Sequence, residues 1–186
     1  RIGSKFLHPG PGYGGSCFPK DTLSLAAIGA EHGSRFKIIE TVIEVNEART
    51  DQMIEKIKGA LGPLKGKTVG VLGLAFKPRT DDIRESPAIK IVLKLKAEGA
   101  QINAYDPEAI ENAKEVLSDV TFCEDSYEAA KDADALLILT EWNQFRKLDL
   151  EKIKELLKEP VIIDLRNVYK HGKMADMGFR YLSVGR

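Results

Sequence analysis

Short apolar segments alternate with helical segments over the last two thirds of this chain, and this alternation restricts the fold more than any other feature. The apolar segments are Thr68–Leu74, Gln101–Tyr105, Asp119–Phe122, Ala135–Leu139, Pro160–Leu165 and Phe179–Val184. The helical segments between them are about Ser86–Glu98, Pro107–Leu117, Ser126–Lys131 and Asp149–Leu157. Strands that alternate with helices are typical of βαβ units, in which helices cover both faces of a parallel sheet. The sequence therefore predicts a Rossmann-like α/β domain of about 120 residues.

The chain before this domain has no clear strand pattern and predicts two helices. The first runs over about Asp21–Glu31 and ends near Gly33, since glycine is a common residue just past a helix C-terminus. Ser34 can cap a second helix, and neither glycine nor proline interrupts the chain from there until Gly59. We expect this second helix to run for roughly 25 residues.

The apolar residues of the long helix cover more than one of its faces. They are Phe36, Ile38, Ile39, Val42, Ile43, Val45, Ile54, Ile57 and Leu61. A helix with two apolar faces needs partners beyond a small helical domain, either in the rest of the chain or in another subunit. The turn-rich segment Gly62–Lys67 is a linker. It divides the chain into a central helical domain, 1–62, and a second domain, 63–186.

A glycine-rich loop near the start of the chain carries a cysteine, Cys17. Four of the eight residues from His8 to Gly15 are glycine and two are proline, which suits tight turns and close approach to a ligand. Because a helix is predicted to start at Asp21, the helix dipole and the Lys20 ammonium would both favour thiolate over thiol. The sequence thus indicates a nucleophile for covalent catalysis. The alternative is a small buried cysteine without a chemical role.

Two motifs resemble the nucleotide-sugar 6-dehydrogenases, the UDP-glucose/GDP-mannose dehydrogenase family. The segment from Arg1 to Asp21 resembles the cysteine signature of that family, and the segment from Gly73 to Pro87 resembles its C-terminal signature. The resemblance covers essentially the whole chain. It implies oxidation of a sugar C6 alcohol to a carboxylate with two NAD⁺ in succession, a UDP-binding second domain, and a homodimer formed through the central helix.

The same resemblance implies roles for three residues of the cysteine loop. Cys17 would attack the aldehyde to form a thiohemiacetal, which a second hydride transfer would convert to a thioester. Asp21 would position or deprotonate the water that releases the acid, and it lies four residues on, on the same helical face. Lys20 would lie on the cofactor side.

The resemblance also implies a set of ligand-binding residues. The loop residues expected to hold the UDP-sugar are Phe6, Leu7, His8, Gly10, Gly12, Tyr13 and Gly14. The residues expected to bind it from elsewhere are Phe76, Lys77, Arg166 and, for the neighbouring subunit, Arg1. Arg84 would reach the NAD pyrophosphate. Taken singly, Lys77 and Arg84 also suit solvated loop charges, and Arg166 could instead pair with Asp164.

The first strand of the second domain enters a glycine-containing turn, Gly70–Ala75, and Asp106 ends the next strand. This is a degraded form of the dinucleotide-binding fingerprint, and it lacks the G-x-G-x-x-G spacing that places a helix N-terminus on a pyrophosphate. We therefore do not expect NAD to bind in this turn, and the family resemblance implies that the domain holds the UDP part of the substrate instead. An NAD-binding domain is expected to precede Arg1, so that the chain alone would bind UDP-sugar without turning it over.

Ser16, directly before Cys17, resembles the residue at that position in the family members that act on UDP-glucose and form UDP-glucuronate. Two alternatives stay open: a GDP-mannose 6-dehydrogenase, and a non-catalytic nucleotide-binding dimerisation module.

With 28 basic and 28 acidic residues, no net charge recruits nucleic acid or membrane, and no apolar run reaches the ~20 residues of a membrane span.

The remaining chemistry-bearing residues predict structural roles. The two cysteines do not suggest a disulfide framework, which fits a reducing cytoplasm. Cys123 is predicted to pack at a sheet edge and Trp142 to act as a structural anchor. The three histidines, His8, His32 and His171, lack metal-ligand spacing, so no metal is expected.

Overall fold

The computed structural model describes residues 3–185, with the side chains of all of these except residues 4 and 5. Its centre is one parallel sheet of six strands in the order β3-β2-β1-β4-β5-β6. The strands are β1 Thr68–Leu72, β2 Gln101–Tyr105, β3 Thr121–Phe122, β4 Ala135–Ile138, β5 Val161–Asp164 and β6 Arg180–Ser183. The predicted α/β class with a Rossmann-like parallel sheet is confirmed.

Seven α-helices accompany the sheet in the described residues. They are α1 Phe18–Glu31, α2 Lys37–Leu61, α3 Pro87–Ala97, α4 Ile110–Val116, α5 Ser126–Ala130, α6 Leu150–Leu156 and α7 His171–Asp176. Two 3₁₀ turns, Ser4–Leu7 and Asn143–Lys147, complete the elements. The six residues of α7 and both 3₁₀ turns had no counterpart in the sequence prediction.

The two N-terminal helices differ from their predicted starts. Helix α1 begins at Phe18 rather than near Asp21, because Pro19 is in the first turn, where its missing N–H has no helical partner to lose. Cys17 is therefore the N-cap residue of α1. Helix α2 has 25 residues, as predicted, but it starts at Lys37 and Ser34 does not cap it.

Helix α2 has two different halves. Its C-terminal half is buried in the core of the sheet domain through Met53, Ile54, Ile57 and Ala60. Two side-chain bonds fasten this half to the last strand: Lys56 Nζ donates to the Ser183 carbonyl at 2.8 Å, and Arg180 Nη1 donates to the Ala60 carbonyl at 2.7 Å. Its N-terminal half is more open: Ile38 is 80% exposed and Val45 58%. The described side chains therefore leave most of the surface of these two apolar residues uncovered.

The strand order places a topological switch point between β1 and β4, since the chain runs outward in opposite directions from these two strands. Ligands of open α/β sheets bind at such a point, outside the carboxyl ends of the strands. The segments that leave these ends are 73–86 after β1, 139–142 after β4 and 165–170 after β5. Within residues 3–185, no helix combines the length and apolar character needed to cross a membrane.

Candidate active site at the carboxyl edge of the sheet

The cysteine loop lies between α2 and the carboxyl edge of the sheet. On the α2 side, Asn46 makes two hydrogen bonds to the Tyr13 peptide groups: its Oδ1 accepts from Tyr13 N at 2.8 Å, and its Nδ2 donates to Tyr13 O at 3.2 Å. One turn further along α2, Arg49 Nε donates to the Gly10 carbonyl at 3.3 Å. The sequence reasoning missed both residues. An Asn and an Arg three positions apart on one helix face were the available signal.

On the sheet side, the loop contacts the segment that follows β1. Gly15 N donates to the Arg84 carbonyl at 2.9 Å, and the Phe76 ring covers Gly15. A Cβ on Gly15 would lie 2.7 Å from that ring, and its φ of +84° disfavours any other residue. The loop and the predicted substrate residue Phe76 are therefore packed together.

Cys17 lies at the exposed end of this loop, directly before α1. Its Sγ is 3.7 Å from Ser16 Oγ. Two cations share its surroundings. The pKa of Lys20 is raised mainly by its hydrogen bond to Asp21, and that of Arg84 mainly by its hydrogen bond to Asp82, while negative charge on Cys17 contributes to both. An exposed thiol at a helix N-terminus beside two cations has the surroundings of a nucleophile.

Cys123 has the opposite environment. It is 3% exposed, directly after the edge strand β3, and burial is the main cause that raises the pKa of its thiol to about 11. Predicted sheet-edge packing is confirmed for this residue.

Lys20 and Asp21 form an ion pair with each other, and both side chains are exposed. The family resemblance implies different roles for them, Lys20 on the cofactor side and Asp21 at the attacking water. In the structure the two side chains pair with each other. In this arrangement the Asp21 carboxylate is already hydrogen-bonded.

Arg166 reaches from the carboxyl end of β5 to the cysteine loop. Its Nε donates to Glu141 Oε2 at 2.5 Å, and its guanidinium packs against Gly10. The expected alternative partner, Asp164, accepts from the backbone N–H of Arg166 instead, at 3.0 Å. That pairing of side chains is therefore wrong, because the Asp164 carboxylate is buried and turned toward backbone and the Tyr181 hydroxyl.

Glu141 follows β4 and was not predicted. Burial raises its pKa, but the hydrogen bond and charge of Arg166 outweigh that effect and leave the pKa below the usual value. The carboxylate thus stays charged and holds the guanidinium at the strand ends.

The other predicted ligand residues line the same edge or its approach. Lys77 is exposed, with its ammonium 5.1 Å from the Phe76 ring centroid. Arg84 is 69% exposed and pairs with Asp82 at 2.7 Å, and its hydrogen bond lowers the pKa of that carboxyl. Among the early loop residues, Phe6, Leu7 and His8 are exposed. Arg1 lies outside the described residues.

Phe6 and Tyr13 each make an edge-on contact with Phe18 at the start of α1, with ring centroids 5.8 and 6.1 Å apart. The three rings connect the beginning of the chain to the cysteine loop and to the helix that follows it.

In the turn after β1, where a dinucleotide would bind, the Asp106 carboxylate already occupies the hydrogen-bond donors. This carboxylate is 1% exposed and accepts five hydrogen bonds. The donors are the backbone N–H groups of Leu74, Ala75, Glu108 and Ala109 and the indole of Trp142. The Asp106 carboxylate is therefore not free to bind a ribose. The N–H groups of Leu74 and Ala75 are likewise not free to bind a pyrophosphate. Trp142 is the structural anchor that was predicted.

Fold and site together define a class: a doubly wound α/β domain of the nucleotide-binding type, joined by a long helix to a loop that exposes a cysteine over the strand ends. The family model for the UDP-binding domain of UDP-glucose/GDP-mannose dehydrogenases matches residues 70–171, and the model for their central domain matches residues 1–48. The chain belongs to the UDP-glucose/GDP-mannose dehydrogenase family.

Curated relatives with similar sequences are named UDP-glucose 6-dehydrogenases. The protein of Rhizobium meliloti is 50% identical over 187 residues, which cover 100% of this chain and 43% of the relative. TuaD of Bacillus subtilis is 48% identical, with 100% and 41% covered. The chain thus spans less than half the length of these relatives.

A solved structure supports the same relationship. The UDP-glucose dehydrogenase of the hyperthermophilic archaeon Pyrobaculum islandicum superposes with a TM-score of 0.84 at 38% identity, over 98% of this chain and 40% of that one.

Proposed function

We propose that this chain forms the cysteine-bearing and UDP-sugar-binding part of an NAD-dependent UDP-glucose 6-dehydrogenase, which oxidises UDP-glucose to UDP-glucuronate. The observation that carries the proposal is the exposed Cys17 thiol, held at the N-terminus of α1 by a loop that packs on Phe76 and Arg166. The identity to curated UDP-glucose 6-dehydrogenases supports the choice of substrate.

The cysteine solves a chemical problem in the second oxidation. An aldehyde carbon carries hydrogen but no hydroxyl oxygen whose electrons could form a new C=O bond as hydride leaves, so this carbon must first become tetrahedral. The Cys17 thiolate adds to that carbon and the oxygen takes a proton, which gives a thiohemiacetal. NAD⁺, when bound, supplies the hydride acceptor for each oxidation. Loss of hydride from the thiohemiacetal carbon and of the proton from its hydroxyl leaves a thioester. Water then cleaves the thioester: its oxygen joins the carbon, it gives up a proton, and the thiolate leaves.

Asp21 is the group that we propose accepts a proton from the attacking water. It lies one helical turn after Cys17, in the first turn of α1. Its present partner is the exposed Lys20 ammonium. Exposed ion pairs contribute little stability, so this pair can open at small cost when substrate arrives.

Basic groups at the strand ends supply the charge that a sugar diphosphate needs. Arg166, already oriented by Glu141, and the exposed Lys77 lie on the side of the loop that faces the sheet. A guanidinium fixed in this way can donate in parallel to phosphate oxygens. Phe76 and the loop backbone from Phe6 to Gly14 complete the substrate surface.

The cofactor side is proposed to lie at Lys20 and Arg84. Both are exposed cations near Cys17 and suit a pyrophosphate, whereas the turn after β1 does not, because Asp106 occupies its N–H groups. Two cations are not a dinucleotide site, so turnover requires a further NAD-binding domain.

The exposed apolar half of α2 is proposed to form a homodimer. Ile38 and Val45 are the side chains most suited to a second copy. Val45→Asp should shift the chain toward monomer in sedimentation, while Gln52→Asp, at an exposed position in the other half of the helix, should not.

Isothermal calorimetry and thiol labelling test the function together. We expect UDP-glucose to bind and to slow the labelling of Cys17 by iodoacetamide, with no NADH formed when NAD⁺ is added. Tighter binding of GDP-mannose would favour the alternative substrate. Binding of UDP-glucose without any protection of Cys17 would favour a non-catalytic nucleotide-binding module. Preference for NAD⁺ over both sugar nucleotides would contradict the proposal.

A further inference from the structure

Asn46 is the point at which the long helix holds the cysteine loop. Its side-chain amide pairs with both the N–H and the C=O of Tyr13, at 2.8 and 3.2 Å, across 33 residues of sequence. Both polar ends of the amide are used, so its orientation is fixed by the backbone it contacts. Asn46 is half-buried, while Glu44 and Val45 before it are exposed.

The backbone of the loop at Gly12 lets the Asn46 amide approach closely. Gly12 has a φ of +137°, and a Cβ there would lie 2.9 Å from Asn46 Oδ1. Only glycine permits both the backbone conformation and the close approach. Arg49 repeats the contact one turn later through the Gly10 carbonyl.

The helix beneath this contact is anchored, because it continues directly into the core. Thr50 and Met53, the next residues on this side of α2, are 6% and 3% exposed. The loop is also held at a second place, where Gly15 N donates to the Arg84 carbonyl. Cys17 follows Gly15 by two residues. The thiol therefore stands just beyond two fixed points, one on the helix and one on the sheet side.

We propose that Asn46 is a positioning residue: by fixing the Tyr13 peptide groups, it places the loop against Phe76 and Arg166 and so sets the location of Cys17. Its importance for catalysis rests on the proposed function. Its control of the loop does not, and can be measured without substrate.

Amide hydrogen exchange, read by NMR, tests the geometry. In Asn46→Ala, the Tyr13 N–H should exchange about 5- to 10-fold faster, as expected for loss of one hydrogen-bond partner. The Gly15 N–H, which Asn46 does not touch, should also exchange at least about 5-fold faster, because its bond to Arg84 depends on the loop position. Glu44→Ala, an exposed site on the same helix, should change neither rate.

A second variant keeps the test decisive if Asn46→Ala folds poorly. Asn46→Asp retains an acceptor for Tyr13 N–H but loses the donor to Tyr13 O, so Gly15 exchange should fall between the native and alanine values. Unchanged Gly15 exchange in a folded variant, with only Tyr13 accelerated, would overturn the proposal.

Calorimetry with UDP-glucose then links the loop to the ligand. Affinity should weaken in Asn46→Ala and recover partly in Asn46→Asp. If the native chain itself fails to bind UDP-glucose, the proposed function fails, while the exchange rates still decide the role of Asn46.

Discussion

Removing the Asp106 carboxylate should destabilise the protein more than removal of any exposed acid. The side chain is 1% exposed and joins three segments: the turn after β1, the start of the α4 region and the Trp142 indole. In Asp106→Ala, five donors lose their acceptor at once.

The magnitude follows from how many of those donors water can reach. The N–H groups of Leu74, Ala75 and Ala109 and the Trp142 indole are buried with their residues, whereas Glu108 is exposed. A buried donor without a partner costs about 1–3 kcal/mol, and part of this is relieved by local rearrangement. We therefore expect a loss of roughly 3–5 kcal/mol of unfolding free energy, at the upper end of single substitutions.

Urea denaturation followed by circular dichroism measures this loss. Asp106→Asn keeps one carbonyl oxygen and should lose less than the alanine variant. Glu111→Ala on the neighbouring α4, where the carboxylate is 83% exposed, should change stability by less than about 0.5 kcal/mol. A loss below about 1 kcal/mol in Asp106→Ala would refute the reasoning that these five bonds hold the turn.

Three other outcomes follow from the site. Iodoacetamide at pH 8 should label Cys17 and spare Cys123, whose buried thiol has its pKa raised to about 11; equal labelling would contradict this. Gly15→Ala should weaken UDP-glucose binding in calorimetry, whereas Gly33→Ala, with a similar φ of +66° but nothing within 4 Å, should not. Folding lowers the pKa of Glu141. The charged carboxylate therefore contributes its full stabilisation at pH values above the pKa of an unfolded glutamate, and this contribution is lost as the pH falls through the lowered pKa of the folded state. Acid titration of stability should therefore be shallower in Glu141→Gln.

Most of the fold could be predicted because buried parallel strands are nearly continuous apolar runs. Strands β4 and β5 are buried along their whole length, and their predicted limits differ by at most one residue at each end. The edge strand β3 was predicted over Asp119–Phe122, but only Thr121–Phe122 pair with β2. Helix α7 escaped prediction because six residues with no side-chain cap carry little periodicity.

The site was predictable where chemistry is local in sequence, and was not where it depends on contacts across the fold. The cysteine, its lysine and its aspartate lie within five residues, so one motif reports them all. Asn46 and Glu141 act through partners 33 and 25 residues away, which spacing alone does not show. Asp106 resembled a ribose-binding acid in the sequence, but burial turned its carboxylate toward the backbone.

The uneven burial of α2 has a practical consequence for anyone exchanging nucleotide-binding modules among these enzymes. The sheet starts at Thr68, yet Met53, Ile54 and Ile57 fill its flank from the preceding helix. A graft that starts at the first strand would leave this apolar flank open to solvent and prone to aggregation. A splice made ahead of Thr50 carries the missing side chains along and leaves the recipient's own cysteine loop in place.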